Sequence, residues 1–190
     1  MSVEKIFCLN LDSRTDRWEE SEKEFEKVGF TVERVSGVVG DFNKGYYGAL
    51  KAASKYKSSL ILEDDVEFVK WDHLDSAFKQ LPKDWDVFAI GCSLISEHKS
   101  KVSENIYRYE NGWATHAIAY KKKVIDWMLK EFRFEDGVIF DEWIRVNVLP
   151  KFNCYVIYPM AAIQRASFSD IRNRFVDYTE FFKRTNENFK

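Results

Sequence analysis

Short apolar runs alternate with amphipathic stretches along this chain, and that alternation predicts strands interleaved with helices. Val3 to Leu9, with Val3, Ile6, Phe7, Cys8 and Leu9 apolar, is the first expected strand. Trp18, Phe25 and Val28 then fall near one face of a helix that Ser13 or Asp12 would cap and Gly29 would end. Thr31 to Val35 reads as a second strand. Strand, helix and strand at this spacing imply a βαβ unit in a mainly parallel sheet. Gly37 to Gly48 is rich in glycine and reads as a flexible segment leading into a helix over Ala49 to Tyr56. Leu60-Ile61-Leu62 is a compact apolar run, the mark of a buried strand. A helix over Asp72 to Gln80, a turn at Pro82 and a strand from Trp85 to Gly91 follow. Ser93 to Ser103 is polar, a natural place for a lid loop. Ile106 to Tyr109 and Ala114 to Tyr120 flank Asn111-Gly112, which predicts a hairpin. Helices over Val124 to Phe132 and Trp143 to Leu149, the second stopped by Pro150, precede a last strand, Cys154 to Tyr158.

Composition narrows the class. Of 190 residues, 45% are hydrophobic and 16% aromatic, enough for the core of one sizeable domain. The pattern assigns 1–171 to that domain and 172–190 to a carboxy-terminal helix or tail. Phe175, Tyr178 and Phe182 in the tail recur at helical spacing with scattered basic residues. Docking on the core is the expected role, with a peripheral membrane contact as the lesser option. A net charge of −2 provides no basic field and argues against nucleic acid as a partner. Cys8, Cys92 and Cys154 are odd in number, widely spaced and set in apolar runs, as buried free thiols would be. With no signal peptide and no apolar run of about 20 residues, a cytoplasmic protein without a transmembrane segment is expected.

The chemistry concentrates where the apolar run at Leu60 ends in Glu63-Asp64-Asp65. Two unit charges ~4 Å apart repel by roughly 4 kcal/mol at an effective dielectric near 20, so a cation belongs there. A divalent ion with hard oxygen ligands is the simplest candidate, and it would carry a phosphorylated substrate with it. Strand alternation would turn Glu63 and Asp65 to one side and Asp64 to the other. The turn after the first strand, Asn10 to Arg17, lies at a carboxyl edge where nucleotides bind, and Arg14 and Arg17 are suited to meet phosphate. A solvated acidic turn and a charged helix surface are the plain structural readings of these same residues.

The order and wording of these segments resemble glycosyltransferase family 25, the lipooligosaccharide and collagen galactosyltransferase group. The matching pieces are Ile6-Phe7-Cys8-Leu9-Asn10-Leu11-Asp12-Ser13-Arg14-Thr15-Asp16-Arg17 and Leu60-Ile61-Leu62-Glu63-Asp64-Asp65-Val66. Thr115-His116-Ala117, Phe140-Asp141-Glu142-Trp143, and Tyr158-Pro159 through Ser169-Asp170-Ile171 add to them. The resemblance covers Lys5 to about Ile171. It implies an α/β chain with the A-type glycosyltransferase fold, a mainly parallel, Rossmann-like nucleotide-binding sheet flanked by helices. It also implies a manganese or magnesium ion and a nucleotide diphosphate sugar, by default a UDP-hexose such as UDP-galactose, with a glycan, a lipid-linked acceptor or a protein receiving the sugar. Asp65 and Glu63 would hold the ion, with His116 a possible third ligand. Asn10, Asp12, Arg14, Arg17, Glu63 and Asp64 would line the nucleoside and phosphate end. Asp141, at the family's aspartate position, would be the general base of an inverting transfer, with Glu142 second. Gln164, Ser169 and Asp170 would complete the pocket. Helix N-terminal capping explains Asp141 and Glu142 equally well.

The chain departs from the family before the acidic strand. Gly40-Asp41-Phe42-Asn43-Lys44-Gly45-Tyr46-Tyr47-Gly48-Ala49 stands where the family has a Gly-x-x-Gly-Cys-x-x-Ser-His segment, without its Ser and His. Two other readings therefore stand beside the transferase. One is a degenerate, non-catalytic sugar- or partner-binding module of the same fold. The other is a metal-dependent nucleotidyltransferase or phosphohydrolase.

Overall fold

A computed structural model describes residues 3–94, 100–134, 137–170 and 172–187. Lys5–Asn10 (β1), Thr15–Val28 (α1) and Glu33–Ser36 (β2) form the expected βαβ unit, with β2 parallel to β1. Gly29 ends α1 in a left-handed conformation at φ 68, which a residue without Cβ adopts at little cost. The α1 cap is Arg14, one to two residues later than Asp12 or Ser13, and no side chain caps the helix. Phe42–Ala53 (α2) follows, then Ser58–Glu63 (β3), Val66–Phe68 (β4) and Leu74–Gln80 (α3). Val87–Leu94 (β5), Ile106–Arg108 (β6), Gly112–Lys121 (β7), Lys122–Glu131 (α4), Phe140–Asn147 (α5) and Cys154–Ile157 (β8) complete the central layers. Ala162–Gln164 (β9), Ser167–Ser169 (β10), Arg174–Val176 (β11) and Thr179–Glu187 (α6) wrap back towards the sheet edge.

The seven central strands lie in the order β2-β1-β3-β7-β5-β8-β6. Five run the same way; β7 and β6 are reversed. Both faces are covered, which is why these strands read as unbroken apolar runs. Phe7, Ile61 and Ile118 pack on Tyr46, Leu50, Val124 and Phe140 from α2, α4 and α5. Ile6, Leu60 and Leu62 pack on Phe25, Leu74 and Phe78 from α1 and α3 on the other side. Cys8, Cys92 and Cys154 are buried free thiols.

Three local expectations change. The hairpin around Asn111-Gly112 does not form: β7 lies between β3 and β5, while β6 pairs with β8 at the sheet edge. Thr115 to Tyr120 are all buried, so β7 needs a neighbour on each edge, and a two-strand ribbon with β6 could not supply both. The glycine-rich segment is helical from Phe42 because Asp41 caps it, its carboxylate accepting the Lys44 N–H at 3.0 Å. Residues 95–99 of the expected lid loop lie outside the described residues, as do Ile171 and the last residues of the tail.

Gly91 sits where neighbouring segments approach closely. A Cβ there would meet the Ala162 carbonyl oxygen at 2.5 Å and would also strike His116 Nε2. Gly91→Ala is expected to destabilise the protein by about 2 kcal/mol through overpacking, read as a lowered urea midpoint at unchanged slope. The α6 helix anchors the carboxy-terminal segment through Phe182, which is 3% exposed and has its ring 5.4 Å from that of His116. Among the described residues no helix is long and apolar enough to cross a membrane.

Candidate functional site

β1 and β3 are paired neighbours, with Leu9 opposite Glu63, so their carboxyl ends bring Asn10 and the acidic turn to one edge of the sheet. β3 stops at Glu63, and the next two residues form a turn, so strand alternation does not continue through them. Asp64 and Asp65 consequently reach the same cation. One Arg17 terminal nitrogen lies 2.5 Å from Asp64 Oδ1 and 3.2 Å from Asp65 Oδ2. Arg17 is buried in the first turn of α1, and Asn10, 1% exposed, donates from Nδ2 to Asp64 Oδ2 at 2.6 Å. Ser21 Oγ donates to the Asp64 carbonyl at 2.9 Å, and Gln164 Nε2 to Asp65 Oδ2 at 3.4 Å. Glu63 turns to β7 and accepts from Thr115 Oγ1 at 2.6 Å.

The repulsion expected of three adjacent carboxylates is met in two ways. Arg17 supplies a built-in counter-charge to Asp64 and Asp65. Glu63 holds its proton: burial, then the Asp65 charge, push it up to about 8. Burial also raises Asp64 to about 6, with Arg17 opposing. Between pH 6.5 and 8 an unfolded Glu63 is ionised while the folded one keeps a proton. The folded state therefore binds more protons, and stability falls as pH rises, by up to about 1.4 kcal/mol per unit for this group. His116 works in a lower window, because burial takes it down to about 4 and it is lost as a stabilising factor only as pH drops below about 6.5. Urea midpoints at pH 6.5 and 8.0 should therefore fall in the wild type and stay level in Glu63→Gln.

A cavity of about 440 Å³ opens at this edge, lined by Asn10, Arg17, the acidic turn and, from α5, Asp141. Phe140 begins α5, earlier than the apolar pattern suggests, so Asp141 falls in its first turn. Burial raises the Asp141 pKa, opposed by the Glu142 and Ala114 backbone N–H groups that its carboxylate accepts. Asn43 fixes this helix start: its Nδ2 donates to the Val138 carbonyl at 2.8 Å, and its Oδ1 accepts the Phe140 N–H at 2.9 Å. The sequence reading missed Asn43, whose one legible signal was its place just after the Asp41 cap. Gln164, Ser169 and Asp170 also line the cavity.

Other candidates lie elsewhere. Asp12 is outside the cavity, accepting from Ser36 Oγ at 2.9 Å. Arg14 pairs with Asp16 at 2.8 Å and with Asp170 at 2.5 Å, so it reaches the lining only through Asp170. His116 is fully buried beneath the site, its Nε2 3.4 Å from the Ala162 carbonyl oxygen. Its burial and its depressed pKa favour a neutral ring packed on Phe182. Glu142 points away from the cavity: Arg145 and the Trp113 indole hold it as a carboxylate, down to about 2.

Among the described residues, no group of three or more His, Cys, Asp or Glu side chains is arranged to hold a metal ion. The donor set nonetheless suits an open site. Asp65 Oδ1 is buried without a hydrogen-bond partner, and a hard divalent ion bound by one or two carboxylates takes its remaining oxygens from phosphate and water.

No family model and no curated protein matches the chain. Among solved structures, it is similar to a glycosyltransferase involved in the glycosylation of the major capsid of PBCV-1, at 11% identity and a TM-score of 0.52 over 96% of this chain and 98% of that one. It is also similar to A197 from STIV, at 13% identity and a TM-score of 0.51 over 90% and 91%. The inositol-1-phosphate CTP transferase from T. maritima superposes over 100% and 99% at 12% identity, with a TM-score of 0.49 too loose to bear on function. The fold is thus the A-type glycosyltransferase one, a seven-stranded sheet between helical layers.

Proposed function

We propose that the chain is a nucleotide-sugar-dependent glycosyltransferase of the inverting kind, close in chemistry to glycosyltransferase family 25. One observation carries this reading: the Glu63-Asp64-Asp65 turn and Asp141 line the same cavity at the carboxyl edge of β1 and β3. A volume of about 440 Å³ suits a ligand of nucleotide-sugar size. In this reading Asn10 and Arg17 hold Asp64 towards the nucleoside end. Asp65, with its spare Oδ1, would hold manganese or magnesium, and that ion when bound supplies Lewis-acid neutralisation of the diphosphate. Asp141 accepts the proton of an acceptor hydroxyl as its oxygen bonds to the anomeric carbon. The bond from that carbon to phosphate oxygen breaks, and the nucleoside diphosphate leaves with the electron pair. A carboxylate raised by burial is a stronger base than a solvated one, which suits this role. UDP-galactose is the default donor by family likeness.

Thermal unfolding with nucleoside diphosphates and nucleotide sugars, with and without manganese, tests the proposal. A ligand at 100 times its Kd stabilises by about 2.7 kcal/mol, a clear shift in midpoint. A manganese-dependent rise with one nucleotide sugar is expected; no rise with any of them would reject the transferase.

A second reading has its own observation. Arg17 already gives Asp64 and Asp65 a shared cationic partner, as a metal-free binding module of the same fold would need. That module would bind without any manganese requirement and release no nucleotide.

A further inference from the structure

Among the described residues, the cationic side chains lining the cavity are Arg17, Arg165 and Arg172. The first two are already committed. Arg17 meets Asp64 and Asp65, while one terminal nitrogen of Arg165 lies 2.8 Å from Glu20 and donates to the Asp64 carbonyl at 3.1 Å. Arg172 is different: it is exposed, and among the described residues no carboxylate pairs with it. Its guanidinium lies 5.8 Å from the centre of the Tyr178 ring, and Tyr178 lines the same cavity. That ring is anchored in turn, 6.5 Å from the ring of the buried Phe182.

The turn that carries Arg172 is held on both sides. Ser169 Oγ accepts the Arg172 N–H at 3.2 Å, and Asn173 takes left-handed backbone at φ 47, which Asn adopts more readily than most residues. The Asp170 carboxylate is 2.5 Å from Arg14, the residue that starts α1, so the turn is tied to the βαβ unit. Through Ser167, Ser169 and Val176 the β10–β11 ribbon forms one wall of the cavity. Carboxylates dominate the rest of the lining, which by itself repels an anion. One divalent ion balances the charge of a bound nucleotide sugar. Departure of the nucleoside diphosphate adds charge on phosphate, because that oxygen takes the electron pair of the breaking bond, and a further fixed cation stabilises it.

Resting on the transferase reading, we propose that Arg172 holds the sugar-side phosphate of the donor's diphosphate and stabilises it as it leaves. Its guanidinium N–H groups donate to phosphate oxygens, and no proton changes hands. The β10–β11 turn thus supplies a cation in addition to the ion on Asp65, and the site is built for a diphosphate leaving group, not a monophosphate one.

Titration calorimetry of the full chain in manganese, with the mono- and diphosphates of uridine and of guanosine, tests the assignment. Wild type should bind one diphosphate more tightly than its monophosphate. Arg172→Ala should weaken that diphosphate about tenfold, as loss of a charge-assisted bond does, and leave the monophosphate nearly unchanged. Arg172→Lys should recover part of the loss, because a point charge remains without the planar fork. Added salt should weaken the diphosphate more steeply in wild type than in Arg172→Ala. Both variants should melt near the wild-type temperature, since among the described residues no ion pair is broken. Unchanged diphosphate affinity in Arg172→Ala would overturn the assignment. So would an equal loss for mono- and diphosphate, the mark of an arginine that only packs on Tyr178. In both cases wild-type binding stays intact and the transferase reading survives. A wild type that binds neither series removes that reading, and this assignment with it.

Discussion

Asp65→Asn should lose turnover by about 100- to 1,000-fold while melting at or above the wild-type temperature, the loss reflecting missing stabilisation of charge that develops on the leaving diphosphate. The two halves of this result come from different atoms. Oδ2 faces Arg17 at 3.2 Å and Gln164 at 3.4 Å, and an amide oxygen can take over as acceptor there. Oδ1 has no partner, so replacing it breaks no internal bond. Removing one charge from a cluster in which Glu63 is pushed up to about 8 also relieves repulsion. Arg17 keeps Asp64 as its ion partner at 2.5 Å. Steady-state rates across a manganese titration and a melting curve for each variant check both halves. Wild-type turnover in Asp65→Asn would reject the ion-holding role of this residue.

Asp141→Asn should lower kcat by about 100- to 10,000-fold, the range removed with a general base, and leave the nucleotide-dependent thermal shift in place. Asn can still accept the Glu142 N–H that Asp141 Oδ1 accepts at 2.7 Å, so the start of α5 survives. The pH dependence separates base from cap. A base works only when ionised, so activity should rise with pH through the Asp141 pKa, and burial moves that limb upward. The variant should lose the limb along with the rate. A capping role alone would lower the melting temperature by an amount that pH 7 kinetics would not register. A full rate in Asp141→Asn would transfer the base role elsewhere in the cavity.

Much of this molecule is local and could be read along the chain. Strands β1, β3 and β8 are apolar runs because helices cover both faces of the sheet, and burial on both faces leaves its mark residue by residue. Gly29 marks the end of α1 because its left-handed cap is a property of one residue. The abrupt change from Leu62 to Glu63 placed the acidic turn at a strand end, and a strand end at the carboxyl edge is where a ligand site forms.

The chain alone could not say what meets that turn. Arg17 and Asn10 become the partners of Asp64 only because β1 and β3 are paired and α1 starts over their ends, contacts that span tens of positions. The same holds for β7. Asn111-Gly112 carries a genuine local turn preference, yet full burial of Thr115 to Tyr120 demanded two strand neighbours and overrode it. Glu142 and His116 look like chemistry in sequence because their types are chemical. Their surroundings decide otherwise, since a carboxylate closed by Arg145 and Trp113 and a ring sealed under Phe182 are both turned from the cavity. Residue type and spacing determined the strands and the acidic turn, and the resemblance at Phe140-Asp141-Glu142-Trp143 supplied the candidate base. Charge pairing, burial and the choice among equally suitable side chains came from tertiary structure, because each depends on neighbours that only folding brings within a few ångströms.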